Sequence, residues 1–370
     1  MKPTPAQGRL YARSAKFICA SAILGLAAGC ATQPPSASAT APAAPTWTFV
    51  AQATDLLPGV YQSAYSTKTG QLYITSAVGR PPVRESHLMA FDPATQRLGT
   101  QVSPAAQASK QDGQLQAVYG IAVDDLHGQV WTTNTRSGSV AVYAQNSLAL
   151  TKQFPDNATP HARDVVVDTA QQRAYVSSPA SDLISVFDTT TLTPLPSIPL
   201  KGVGETPKPM SLALDSAHQR LYSVSLNTAE VFVIDTATGK QIASHPIPNA
   251  QGGAGIAVDN QAQQLYVAAQ KSGNLSIMDA LNGQILHQIP TGAGALNVAF
   301  DPVKRLAYVA NRSAGTVTVV NTAGVIQAQI DTGSFPNHIT MTPDGTAWAL
   351  VKKNKDDPRL DRIVRIEARR

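Results

Sequence analysis

Phe300-Asp301-Pro302-Val303-Lys304-Arg305-Leu306-Ala307-Tyr308-Val309-Ala310-Asn311-Arg312-Ser313-Ala314-Gly315-Thr316-Val317-Thr318-Val319-Val320-Asn321 is the stretch that decides the fold. An apolar strand end closes on Asp301, and Pro302 to Arg305 make a short turn. Leu306 to Asn311 form a strand, Gly315 marks a second turn, and Thr316 to Val320 alternate as a third strand. Such a meander cannot bury both its faces alone, so it needs further copies of itself.

The chain supplies them. Aligning on the aromatic of the second strand gives Tyr73, Trp131, Tyr175, Tyr222, Tyr266, Tyr308 and Trp348, spaced 58, 44, 47, 44, 42 and 40 residues apart. The strand before each aromatic recurs as Gly120–Asp124, Asp164–Asp168, Ser211–Asp215, Gly255–Asp259 and Asn297–Asp301. The third strand recurs as Ile184–Asp188, Val231–Asp235, Leu275–Asp279 and Val317–Asn321, with Gly239 or Gly283 turning the chain into a fourth. Helical periodicity is missing outside the first thirty or so residues. Seven copies of four short strands predict an all-β, seven-bladed β-propeller over residues 46–370. The last copy has only three strands, and Thr46–Ala53 alternates without a partner of its own. That segment is expected to become the outer strand of the last blade and close the ring.

Residues 1–29 carry Lys2, Arg9, Arg13 and Lys16, no acid, and the apolar run Phe17–Ala28. This reads as a lipoprotein-type signal peptide, with Cys30 as the lipidated residue. Ala27 departs from the leucine common at that place in a lipobox. Residues 30–45 are a Pro/Ala/Ser/Thr tether. The expected location is the periplasm, anchored by lipid and most consistent with the outer membrane, as a monomer. Removing the first 29 residues leaves 25 basic and 24 acidic side chains. Overall charge therefore gives no ground for a nucleic-acid partner. Cys19 lies in the signal, so the domain holds no thiol or disulfide chemistry.

Tyr308-Val309-Ala310-Asn311, Tyr266-Val267-Ala268-Ala269, Tyr175-Val176-Ser177-Ser178, Trp131-Thr132-Thr133-Asn134 and Val231–Lys240 resemble the YVTN-repeat β-propellers. Gly59–Ser66, Pro336-Asn337 and Asp361–Ile366 resemble the periplasmic YncE-like group of that family. The resemblance implies an exported binding domain and makes single-stranded DNA a candidate ligand. It carries over no individual contact residue.

Insertions gather in the loops joining second to third strands and blade to blade, which a propeller places on one face. That face is also basic. Arg80, Arg136, Lys271, Arg312 and Lys352 come from the two-to-three loops, and His161, Arg163 and Lys208 from the blade-to-blade segments. Tyr61, Tyr119 and Phe335 stand beside them, each near the start of a first strand. A basic funnel with aromatic groups suits an anionic partner, single-stranded nucleic acid included. His161, Arg163 and His338 are weak candidates for lactonase-type hydrolysis, although strand alternation would point Asp164 away from His161 and Arg163. A scaffold for envelope proteins is the third open reading. The sequence holds no metal, haem, nucleotide or other cofactor motif.

Overall fold

The computed structural model describes residues 47–370 except 111; the expected signal peptide, Cys30 and the tether lie outside the described residues. The domain is a seven-bladed β-propeller: seven four-stranded antiparallel sheets, each built from consecutive strands except the last. Each first strand lies against the first strand of the next blade, and that of blade seven returns to that of blade one. The seven first strands thus ring a central channel.

Blade seven takes its outer strand from the other end of the chain. Thr48–Asp55 pairs antiparallel with Arg362–Arg369, in register from Thr48 opposite Arg369 to Asp55 opposite Arg362. The unpartnered alternation in the sequence had this as its cause, with Phe49 and Trp47 packing on the core between blades six and seven.

The repeat follows from two-sided burial. A blade is sandwiched between neighbours, so both faces of its second strand must be apolar. In blade six, Leu306, Tyr308 and Ala310 face blade seven, and Ala307 and Val309 face blade five. Fully burying one such side chain contributes about 1.5–3 kcal/mol. The recurrent aspartates have a local role instead. Oδ1 of Asp124, Asp168, Asp259 and Asp301 each accepts two backbone N–H groups of the turn that follows. The third-strand aspartates Asp188 and Asp279 do the same. These Asx turns fix the short, uniform loops of one face.

Candidate functional site

The opposite face carries the long loops, and they are tied down chiefly at their bases. In blade seven the excursion from Lys353 to Asp361 is pinned by Arg362, which is 1% exposed and donates to Asp357 Oδ2 at 3.0 Å. Arg359 donates to the same carboxylate, whose pKa falls below the usual range chiefly through that bond. Asp361 closes the excursion. Its Oδ2 accepts the N–H groups of Gly59 (2.6 Å) and Val60 (3.1 Å), and its Oδ1 that of Lys353 (2.9 Å). Gly59 has φ +86°, and a Cβ there would stand 2.6 Å from the Ala77 carbonyl oxygen. The chain therefore enters blade one in a single orientation, with Tyr61 directed to the channel mouth.

Around Tyr61 the structure gathers six of the other eleven residues expected on this face. Tyr119 meets it edge-on, ring centroids 3.9 Å apart at 65°. Lys352 Nζ lies over the Tyr61 ring, 4.6 Å from its centroid. Arg312 lies over the ring of Phe335, also at 4.6 Å, and its Nη1 donates to Asn337 Oδ1. Asn337 is held in turn by Nδ2 donating to the Val60 carbonyl at 3.1 Å. Arg163 reaches the same space from blade three, and its field acts on both Tyr61 and His338.

Burial sets the electrostatics of this cluster. It raises the Tyr61 phenol, with Tyr119 adding to the effect. It lowers Arg312, and it lowers Lys352, which Arg312 lowers further against the opposing pull of Asp361. His338 falls to about 3 through burial and then through Arg163, so its imidazole is neutral at pH 7. Arg163, Arg312 and Lys352 form no ion pair within 4.0 Å among the described residues.

Arg163 is positioned by its backbone. Gly120 N–H donates to Thr133 Oγ1 at 2.8 Å, and Thr133 Oγ1 donates to the Arg163 carbonyl at 3.1 Å. A Cβ on Gly120 would lie 2.5 Å from that carbonyl oxygen, so only glycine lets blade three approach so closely. The alternation expected across His161–Asp164 does not hold. The first strand of blade three begins at Val165, and His161 has φ +52°, so these four residues follow no strand pattern. Asp164 is turned inward beside Arg163. Burial raises its carboxyl, while Arg163 and its hydrogen bonds pull the other way.

The other expected residues stand apart from this cluster. Arg80, Arg136, Lys208 and Lys271 are exposed on the rim. Lys271 lines a shallow depression of about 690 Å³ with Gly292 and Ser313. His161 is exposed as a residue, although its ring is partly shielded from water, and that shielding, followed by Arg136 and Arg163, lowers its pKa. Asn337 and Asp361 were missed as site residues, although both lie in the stretches that carry the YncE-like resemblance.

The other face offers one arrangement that imitates a catalytic triad. His127 Nδ1 is 2.7 Å from Asp124 Oδ2, and its Nε2 is 3.2 Å from Thr190 Oγ1. Thr190 Oγ1, however, donates to Gln172 at 2.7 Å, and the N–H groups of Thr190 and Thr191 are spent on Asp188. Neither an activated hydroxyl nor a free oxyanion donor remains, so the array braces two turns. Among the described residues no three His, Cys, Asp or Glu side chains converge as for a metal, and no helix is long and apolar enough to cross a membrane.

No family description and no curated protein matches the chain. Among solved structures it is similar to Kuenenia stuttgartiensis hydrazine synthase, with 17% identity and a TM-score of 0.67 over 85% of this chain and 96% of that one. At that identity the likeness establishes the propeller fold alone.

Proposed function

We propose that this propeller is an exported binding module whose funnel takes an anionic ligand. The observation that carries the reading is the convergence of Arg163, Arg312 and Lys352, from three different blades, around Tyr61 without a paired acid. Two like charges about 5 Å apart repel by about 3 kcal/mol at the effective dielectric of a protein surface, and a bound anion turns that cost into attraction. A fold that needed these side chains only for packing would be more stable with neutral ones.

Within that reading, the YVTN-repeat and YncE-like resemblance makes single-stranded DNA the named candidate. The geometry alters how it would be held. Lys352 already covers a face of Tyr61 and Arg312 a face of Phe335. Phosphate contact therefore outweighs base stacking, and sequence preference is expected to be weak. A fluorescein-labelled oligo-dT should bind in low salt, with log K falling against log salt at a slope near −2, about 0.7 for each of three cations. Absence of binding at low salt contradicts the reading, whereas partners that co-purify regardless of nuclease favour the envelope-scaffold alternative. The same proposal has the domain tethered to the membrane through Cys30. Recovery of a Cys30→Ser variant in the membrane fraction, undiminished, argues against that anchor.

A further inference from the structure

Beside Arg312 and Lys352, the throat holds two N–H donors that the fold does not use. The first is Arg163 Nη1, buried and without a hydrogen-bond partner among the described residues. Asp164 beside it takes the Val165 N–H on Oδ1 at 3.1 Å and the Leu212 N–H on Oδ2 at 3.0 Å, and makes no hydrogen bond to Arg163 among the described residues. A buried guanidinium nitrogen without a partner is costly, and native structures seldom keep one without a use.

The second donor belongs to His338. Its Nδ1 accepts the Ser63 backbone N–H at 3.3 Å. The Thr340 hydroxyl, 3.4 Å from the same nitrogen, donates to the Ser63 carbonyl at 2.8 Å. A neutral imidazole whose Nδ1 accepts carries its proton on Nε2. Nε2 meets no protein acceptor among the described residues. The ring is thereby an oriented, uncharged donor facing the channel, within the field of Arg163.

We propose that the throat is a subsite for one terminal oxyanion, a carboxylate or a phosphate monoester, taking Arg163 Nη1–H on one oxygen and His338 Nε2–H on another. This rests on the anion-binding reading above and adds to it that the end of the ligand is what the throat recognises. The channel is ringed by seven first strands packed side by side. A chain can enter such a ring only end-first, since an internal phosphodiester needs a way out on both sides. Arg312 and Lys352 at the mouth then hold the following charges. One cation with one neutral donor matches a single terminal group, and a second buried cation would exceed it.

The test compares oligo-dT with and without a 5′-phosphate, and with inorganic phosphate and acetate as small probes. The wild-type protein should bind the phosphorylated oligomer about tenfold more tightly, the effect of one charge-assisted hydrogen-bonded contact. Arg163→Gln should erase that difference, while the unphosphorylated oligomer is weakened only by the loss of one of three cations and about 0.7 of the salt slope. Protection of the wild type against thermal unfolding by inorganic phosphate but not acetate assigns the site to phosphate ends, and the converse to carboxylates. Equal affinity for both oligomers, with no response to either small anion, overturns the inference while leaving the anion-binding reading intact. Failure of every oligomer to bind at low salt removes that reading, and the small-anion arm then decides the throat alone. Folding is checked separately. Nη1 has no partner among the described residues, but the Arg163 charge favours the ionised Asp164 carboxyl, so the fold is checked with Arg163→Lys, which keeps that charge: anion-free, it should melt close to the wild-type temperature, and a clear fall shows that the guanidinium serves the fold. Two-bond ¹H–¹⁵N spectra that place the His338 proton on Nδ1 also overturn the proposal.

Discussion

The two faces of the ring treat charge in opposite ways. On the short-turn face the aspartates are spent on turn N–H groups, and the cations find them: Arg220 with Asp235 at 2.9 Å, Arg305 with Asp259, Lys304 near Asp301. On the insertion face Arg80, Arg136, Lys208 and Lys271 stand exposed to water without an ion pair among the described residues, while the cations that hold the outer loops are paired, as Arg359 and Arg362 are with Asp357. The cations at the channel mouth are not. The contrast separates charges that complete the scaffold from charges left over for something else, within one nearly neutral domain.

The sharpest way to break that contrast is to remove a residue of each kind. Tyr308 is fully buried between blades six and seven. Tyr308→Ala should lower stability by about 3–5 kcal/mol, measured by denaturant unfolding, with oligo-dT affinity unchanged at temperatures where the protein stays folded. Tyr308→Phe should change stability by less than about 1 kcal/mol, since its hydroxyl has no partner among the described residues. A fall in affinity in the folded Tyr308→Phe protein would mean that blade packing and binding are not separable.

An effect of similar size, spread over several pH units, is expected from pH. His338 has a folded pKa near 3, below the ordinary 6.5. Between those values the unfolded chain binds the extra proton, so its contribution to stability is whole above about pH 6.5 and is lost as pH falls toward 3. The slope is at most about 1.4 kcal/mol per pH unit. Carboxylates held below their usual range, such as Asp92, Asp188 and Asp235, lose their contributions only at lower pH. The difference between the wild-type and His338→Gln curves from pH 4 to 6.5 isolates the imidazole. Parallel curves would mean that His338 is solvated rather than held in the throat.

What the sequence disclosed depended on repetition. The blade aromatics, the turn aspartates and the closing strand were legible because each recurs, or visibly lacks a partner, at the repeat spacing. Arg312 and Lys352 were legible for the opposite reason, as cations where other copies vary. Their surroundings were not. Asn337 orients Arg312 from another blade, and Asp361 fixes Gly59 from the far end of the chain, at separations no local pattern reports. Arg163 could be chosen by charge but not by direction, because Asp164 and the residues before it lie outside the regular strand and alternation has no hold on them. Arg80, Arg136, Lys208 and Lys271 share its charge and loop class and still point to the rim, since loop class fixes the face and leaves the radius open.

The central claim is that the unpaired cations at the mouth, and not the rim in general, bind the anion. Its most direct test is the salt dependence of oligo-dT binding in the wild type and in the Arg312→Gln/Lys352→Gln double variant. The account expects the slope of log K against log salt to lose about 1.4, close to 0.7 for each cation, with affinity at low salt falling well over tenfold. A double variant with the wild-type slope and affinity would place binding elsewhere and contradict the account.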